Sequence, residues 1–194
     1  MNHKQLILAS GSAYRRDLLQ RLGLVFECWA PDVDETAPAD EAPRDTAMRL
    51  ARAKAGAAAM RYPQAWIIGS DQVAEDAGRP IGKPGTVEAA RRQLRSMRGR
   101  EIQFHTALCV ATPGGERLHK ELVTTEVVFR TLSDQEIDRY LEKESALDCA
   151  GSAKSEGLGI ALLDRLTGDD PTALIGLPLI VLSAILRAEG FDLP

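Results

Sequence analysis

Ile67-Ile68-Gly69-Ser70-Asp71-Gln72-Val73, followed ten residues on by Gly82-Lys83-Pro84-Gly85, is the stretch around which the rest of the chain is ordered. The apolar run from Ala65 to Ile68 reads as a buried strand, and Gly69-Ser70 as the point where the backbone turns sharply and ends it. Asp71 then falls at the carboxyl end of a strand, where open α/β sheets place their chemistry. Lys83, between a glycine and a proline, is a cation on a stiffened turn. A strand-end carboxylate with a lysine on a rigid loop suits a divalent metal and a phosphate. Alone, the pair reads equally well as an aspartate capping a turn and a solvated lysine.

The flanking sequence narrows the choice. Leu6 to Ala9 is a compact apolar run that breaks at Ser10-Gly11-Ser12 and passes into a helix from Ala13 to Leu22, stopped by Gly23. A strand, a small-residue loop and a helix N-terminus make an anion site, with loop N–H groups, the helix dipole, two hydroxyls and two guanidiniums gathered there. Ser12 as a plain N-cap is the simpler reading, but it leaves Arg15 and Arg16 in a first turn whose dipole disfavours cations. Arg16 is the weaker phosphate candidate, because one of two adjacent helical residues must point away. Val25 to Trp29 reads as a second strand and Arg44 to Met60 as an alanine-rich helix carrying Lys54. Asp32, Asp34 and Glu35 lie between them as an acidic loop or part of a hard-cation site.

Downstream, Thr86 caps a helix running to about Met97, with Arg91, Arg95 and Arg98 at helical spacing. Glu101–Ala111 and Glu121–Arg130 read as long strands joined through Pro113-Gly114-Gly115. Ser133-Asp134-Gln135-Glu136 is a capping box. The loop from Asp148 to Gly159 holds three glycines, Ile160–Leu163 reads as a further strand, and Leu177–Glu189 as a closing helix.

The chain has 194 residues, 44% hydrophobic and 27% charged, enough for one sizeable core, read as one domain over residues 1–194. A net charge of −4 argues against a nucleic-acid binder, and no aromatic residues interleave the arginine stripe as single-strand binding requires. The odd cysteines Cys28, Cys109 and Cys149 share no metal-like spacing and suit reduced thiols. Met1 to Gln5 leads straight into the first strand without a visible signal peptide, and Leu177–Leu186 is too short to cross a bilayer. These features predict a cytoplasmic protein with no membrane partner.

Four stretches together carry a family resemblance: Ser10-Gly11-Ser12-Ala13-Tyr14-Arg15-Arg16, Val33-Asp34-Glu35, Gly69-to-Val73 with Gly82-Lys83-Pro84, and Asp148-Cys149-Ala150-Gly151-Ser152 through Glu156-Gly157. In this order, over nearly the whole chain, the sequence resembles the Maf family of nucleoside triphosphate pyrophosphatases. It is most similar to the branch that hydrolyses 7-methyl-GTP, through Gln72, the aromatic Tyr14 before the arginine pair, and Ser155-Glu156-Gly157. The branch acting on dTTP and UTP usually has threonine at the position of Gln72. Ala13 stands where the family usually has proline, Ala153 where it has an aromatic, and His105-Thr106-Ala107 replaces a more aromatic, glycine-containing stretch.

The resemblance implies an α/β fold like the inosine triphosphate pyrophosphatases: a long, curved mixed sheet flanked by helices in two lobes around a cleft. It also implies a homodimer and a divalent cation, Mg²⁺ or Mn²⁺. Ser10, Ser12, Arg15, Lys54 and Lys83 would grip phosphates; Glu35 and Asp71 would hold the metal, with Asp71 also the base. Tyr14 would face the nucleobase, Glu156 would accept from its edge, and Gln72 would offer both a donor and an acceptor. The competing readings are a nucleic-acid-binding regulator using the arginine helix and a phosphomonoesterase using the same cations.

Overall fold

A computed structural model describes residues 4–194. Met1 to His3, part of the stretch read as lacking a signal peptide, lie outside the described residues. Among the described residues, seven strands make one mixed sheet. The first, β1 (Leu6–Leu8), pairs in parallel with β2 (Glu27–Cys28) on one side and β3 (Trp66–Asp76) on the other. Beyond β3 the pairing is antiparallel: β4 (Arg79–Ile81) meets only its far end, while β5 (Glu101–Ala111) runs along most of it. β6 (Leu118–Phe129) and β7 (Leu163–Thr167) complete the order. Leu6, Ile7 and Leu8 are all buried, as a strand covered on both faces requires. Among the described residues, no helix is long and apolar enough to cross a membrane.

The predicted end of the central strand is wrong. β3 continues through Gly69, Ser70 and Asp71 for eleven residues. Gly69 makes no turn; a Cβ there would lie 2.4 Å from the Ala51 carbonyl oxygen and 2.8 Å from the Ala55 nitrogen. It is glycine because helix α2 (Pro43–Arg61) packs directly on the strand. Asp71 nonetheless sits at an opening. β1 stops at Leu8, opposite Ile68, and β4 joins only from Ala74, so residues 69–73 have no strand on that edge among the described residues.

Three further expectations shift. The second strand shrinks from Val25–Trp29 to two exposed residues: Val25 is solvent-facing, while Phe26 and Trp29 pack by their side chains on the core outside the strand pairing. Residues 160–162 are a 3₁₀ turn, and the strand starts at Leu163. The turn is enforced by Gly159, where a Cβ would meet Lys154 backbone atoms at 2.4 and 2.5 Å. The first helix, α1 (Ala13–Gln20), ends earlier than predicted and passes into turns before Gly23.

Alternation along the strands sends successive side chains to opposite faces. Ile67 and Gly69 face α2 with Ala51, Ala55 and Ala58. On the other face, α1 and α5 (Leu179–Ala188) pack Leu18, Leu19, Leu182 and Leu186 against Leu8, Ile68, Leu108 and Val110. A separate cluster joins α3 (Val87–Met97) and α4 (Asp134–Lys143) to Ala74, Ile102, Phe104 and Val127. Between the two clusters β3 and β5 present Ser70, Gln72 and Thr106; Ser70 and Thr106 are fully buried, and Gln72 lines a cleft between the two apolar lobes. The α3 arginines are spent on α4: Arg91 on Asp138 at 2.6 Å, Arg95 and Arg98 on Asp134 at 3.0 and 3.2 Å. The capping box of Ser133 and Glu136 opens α4 as predicted.

Candidate active site

Where β3 lacks an edge partner, two carboxylates share one ammonium. The Lys54 Nζ lies 2.6 Å from Asp71 Oδ1 and 2.6 Å from Glu35 Oε1. Lys54 projects from the same side of α2 that lays Ala51 and Ala55 on Gly69, so close packing of the helix brings the ammonium to Asp71 two residues further on. Its side chain and that of Asp71 are nearly buried, whereas Glu35 reaches in from the loop before α2 and is 61% exposed. The Lys54 hydrogen bond holds the Glu35 carboxyl below its usual range, with Lys83 and Arg15 adding to the effect against partial burial. Two carboxylate oxygens on one ammonium are the kind of donors that a hard cation takes when one or two protein carboxylates hold it and phosphate and water complete its shell.

The loop after β1 supplies the cations and donors next to this cluster. The Ser12 hydroxyl caps α1 by accepting from the Arg15 N–H at 3.4 Å, and the Ser10 hydroxyl accepts from the Ser12 N–H at 3.1 Å. Arg15 folds back into the protein: its Nε donates to the Gly176 carbonyl at 2.8 Å and a terminal nitrogen to Ser10 Oγ at 3.4 Å. Burial lowers its pKa, while Asp71 and Glu35 pull the other way. The two guanidiniums read as gathering on the loop therefore separate. Arg16 points to solvent and pairs with Asp17 at 3.3 Å, since adjacent helical positions are rotated by about 100°. Replacing Arg15 by alanine is expected to raise KM for a triphosphate, at a cost of about 1.5–3 kcal/mol in kcat/KM. Steady-state kinetics check this; an unchanged kcat/KM removes Arg15 from the phosphate grip.

The cleft between the lobes has a cavity volume of ≈ 110 Å³. Ser12, Arg15 and Lys83 line it together with Tyr14, Gln72, Asp148 and Glu156, and its apolar walls include Phe104, Phe129 and Leu174. Lys83 is exposed, on the loop between β4 and α3. Ser10, Glu35, Lys54 and Asp71 are not among the cleft's lining residues; Ser10 is tied to it through Arg15. Gln72, the next residue after Asp71, points to the cleft side. Its carboxamide nitrogen donates toward the Ala173 and Leu174 carbonyls and Thr106 Oγ1, each at 2.9 Å. The expectation that Gln72 offers both a donor and an acceptor is therefore corrected: the nitrogen is already used, which leaves Oε1 as an acceptor.

Tyr14 donates its hydroxyl to Asp148 Oδ1 at 3.2 Å, and burial, then Cys149 and Asp148, raise its pKa. Lys154 already stands 5.4 Å from the Tyr14 ring centroid and pairs with Glu144 at 3.3 Å. One face of the ring thus has a cation of its own. Glu156 is exposed at the rim.

A family model described as "Maf-like protein" matches residues 5–189. The chain belongs to the Maf family. Curated relatives match this Maf chain over nearly its whole length. A protein of Aromatoleum aromaticum named 7-methyl-GTP pyrophosphatase is 60% identical over 194 residues, all of both chains. One of the same name from Xanthomonas oryzae is 55% identical, covering 98% of this chain and 99% of its own. A third, from Burkholderia pseudomallei, is 56% identical, covering 97% and 89%. Among solved structures, the Staphylococcus aureus Ham1 protein superposes with a TM-score of 0.56 over 96% of this chain and 100% of its own. At 16% identity that likeness speaks for the fold alone.

The Maf motifs do not by themselves reveal every residue of the cleft. Asp148 opens the glycine-rich loop and is legible there as a charge, but its bond to Tyr14 joins residues 134 apart. Thr106 and the 173–176 backbone carry no local signal, because their part is to hold Gln72, Ser70 and Arg15 from across the sheet.

Proposed function

We propose that this Maf protein is a nucleoside triphosphate pyrophosphatase that hydrolyses the α–β phosphoanhydride of 7-methyl-GTP, giving 7-methyl-GMP and pyrophosphate. One observation carries the reading: the same cleft has Arg15 and Lys83 on its lining and, among the groups on the other loop, the carboxylates of Asp148 and Glu156. A nucleotide whose triphosphate carries nearly four negative charges and whose base carries a positive one matches both. Methylation at N7 gives guanine that charge and makes its N1–H and N2–H better donors. Glu156 and the Gln72 oxygen, which accept, gain more from such a base than from neutral guanine. The full-length relatives of the same name support the assignment.

In the reaction, water attacks the α-phosphorus, the bond to the bridging oxygen breaks, and pyrophosphate leaves. Asp71 takes the proton from the water, held in place by Lys54. Arg15, Lys83 and the Ser10–Ser12 loop N–H groups offset the charge gathering on the phosphate oxygens, with Lys54 alongside. Glu35 and Asp71 are the residues that would hold Mg²⁺ or Mn²⁺, which supplies Lewis-acid polarisation of the phosphate. Tyr14 forms a wall against the base on the side away from Lys154, and Asp148 fixes its hydroxyl. We place the enzyme in the cytoplasm, from the sequence features given above, and as a homodimer, by family resemblance.

A panel of nucleoside triphosphates with a phosphorus-31 readout tests this. Pyrophosphate from 7-methyl-GTP, ahead of GTP, dTTP and UTP, is the expected result, lost on chelation and restored by Mg²⁺. Orthophosphate as the first product would move the cut to the terminal phosphate and overturn the α–β assignment, and a preference for dTTP would move the enzyme to the other branch. Glu156→Ala is expected to narrow the gap between 7-methyl-GTP and GTP by about 5–30-fold, the effect of losing about 1–2 kcal/mol of charge-assisted contact. An unchanged ratio removes Glu156 from base selection.

A further inference from the structure

Two loops contribute to the lining of the cleft, one carrying Lys83 and the other running from Asp148 to Gly159. They are far apart in sequence, and a side chain of α3 joins them. The Gln93 nitrogen donates to the Gly82 carbonyl at 2.9 Å, immediately before Lys83. On its other side, Gln93 Oε1 accepts from the Ser152 hydroxyl at 2.5 Å. A backbone bond from the Gly85 N–H to the Leu147 carbonyl, 3.0 Å, runs beside this bridge.

The Ser152 end is built for the contact. Ser152 is fully buried and adopts φ +56°, a left-handed conformation that a serine takes only when its surroundings impose it. Gly151 before it, at φ +71°, leaves just enough room for Phe104, whose ring would lie 3.1 Å from a Cβ there. Phe104 belongs to the core of the α3–α4 lobe and to the cleft wall. The glycine loop is therefore seated on the rigid part of that lobe, and Ser152 aims its hydroxyl from this seat at Gln93.

We propose that Gln93 is a positioning residue for Lys83, setting the place of the phosphate-gripping ammonium from the loop that lines the base side of the cleft. The proposal rests on the assignment of Lys83 to the triphosphate. Lys83 is exposed between Gly82 and Pro84; Pro84 stiffens the turn on its far side, and on its near side the Gly82 carbonyl is the handle by which α3 holds it. Gln93 itself touches neither phosphate nor base.

The test is a double-mutant cycle on kcat/KM, using whichever triphosphate the wild-type protein cleaves to pyrophosphate, with thermal midpoints measured alongside. Gln93→Leu removes both hydrogen bonds at similar volume and is expected to cost about 10-fold, chiefly through KM. In a Lys83→Ala background the same substitution should cost less than about 2-fold, because there is no ammonium left to position. Ser152→Ala, which cuts only the far end of the bridge, should reproduce the loss and add little to Gln93→Leu. Equal losses in both backgrounds, or full activity of Gln93→Leu and Ser152→Ala, overturn the proposal and leave the pyrophosphatase reading untouched. Full activity of Lys83→Ala overturns the proposal together with the role of Lys83. Should Gln93→Leu fold poorly, the Ser152→Ala and Lys83→Ala pair decides on the same criterion. Failure of the pyrophosphatase reading shows separately, in wild-type protein that releases no pyrophosphate.

Discussion

Asp71→Asn is expected to lower kcat by at least about 10²-fold while the thermal midpoint stays within a few degrees of wild type. Asparagine keeps the shape of the side chain and still accepts a hydrogen bond from Lys54, which lies 2.6 Å from Oδ1. It removes the negative charge, and with it both the capacity to take a proton from water and half of the carboxylate pair offered to a cation. Asp71 is buried on a strand held by β5 along its length, so the backbone has no reason to move. The measurement is turnover at saturating substrate with a melting curve on the same sample. Near-wild-type kcat would exclude Asp71 as the base, wherever the substrate binds.

Lys54→Met carries the second large effect, and it falls on stability as well as activity. The ammonium is the cation bonded to both Glu35 and Asp71. Removing one partner of a buried ion pair leaves an uncompensated charge and typically costs about 3–5 kcal/mol. The lower end applies here, because Glu35 keeps most of its contact with water and only Asp71 is enclosed. For a chain of this length about 3 kcal/mol corresponds to a midpoint drop of roughly 6–12 °C. Since Glu35 and Asp71 are also the residues assigned to a divalent cation, millimolar Mg²⁺ should recover part of that loss in the variant. Differential scanning calorimetry with and without Mg²⁺ reads both. No drop in the midpoint would mean the triad contributes little to stability, and no recovery would take Mg²⁺ off this carboxylate pair.

What could be read without the structure was what is decided locally. The Thr86 and Ser133 caps, the loop from Ser10 to Ser12 that ends in an N-cap, and the β5–β6 pair with Gly114 and Gly115 at positive φ are each set by neighbours within a few residues. Gly69 was not legible, because a glycine within an apolar run reads the same whether the chain turns there or another element presses on it. The atoms that decide belong to Ala51 and Ala55, in a helix with its own connection to the strand. Lys54 is named through the family resemblance, but its pairing with Glu35 and Asp71 has no local signal: only the approach of α2 to β3 turns it inward. The arginines of α3 looked like one stripe, yet the carboxylates that engage them lie on α4, about forty residues away. The sequence puts Gln72 among the base-selecting residues, but that its nitrogen is already occupied depends on the fold of the 173–174 segment.

Adjacent codons in β3 thus specify groups on opposite sides of a sheet, Asp71 toward α2 and Gln72 toward the cleft. For a lineage under selection to accept a different base, this decouples two kinds of change. A substitution at position 72 alters the floor of the cleft without repacking the ammonium and carboxylates behind it. The same barrier limits how far a lesion at position 71 can distort the pocket. A pleated strand with an open edge thus lets a change on one face leave the packing on the other as it was.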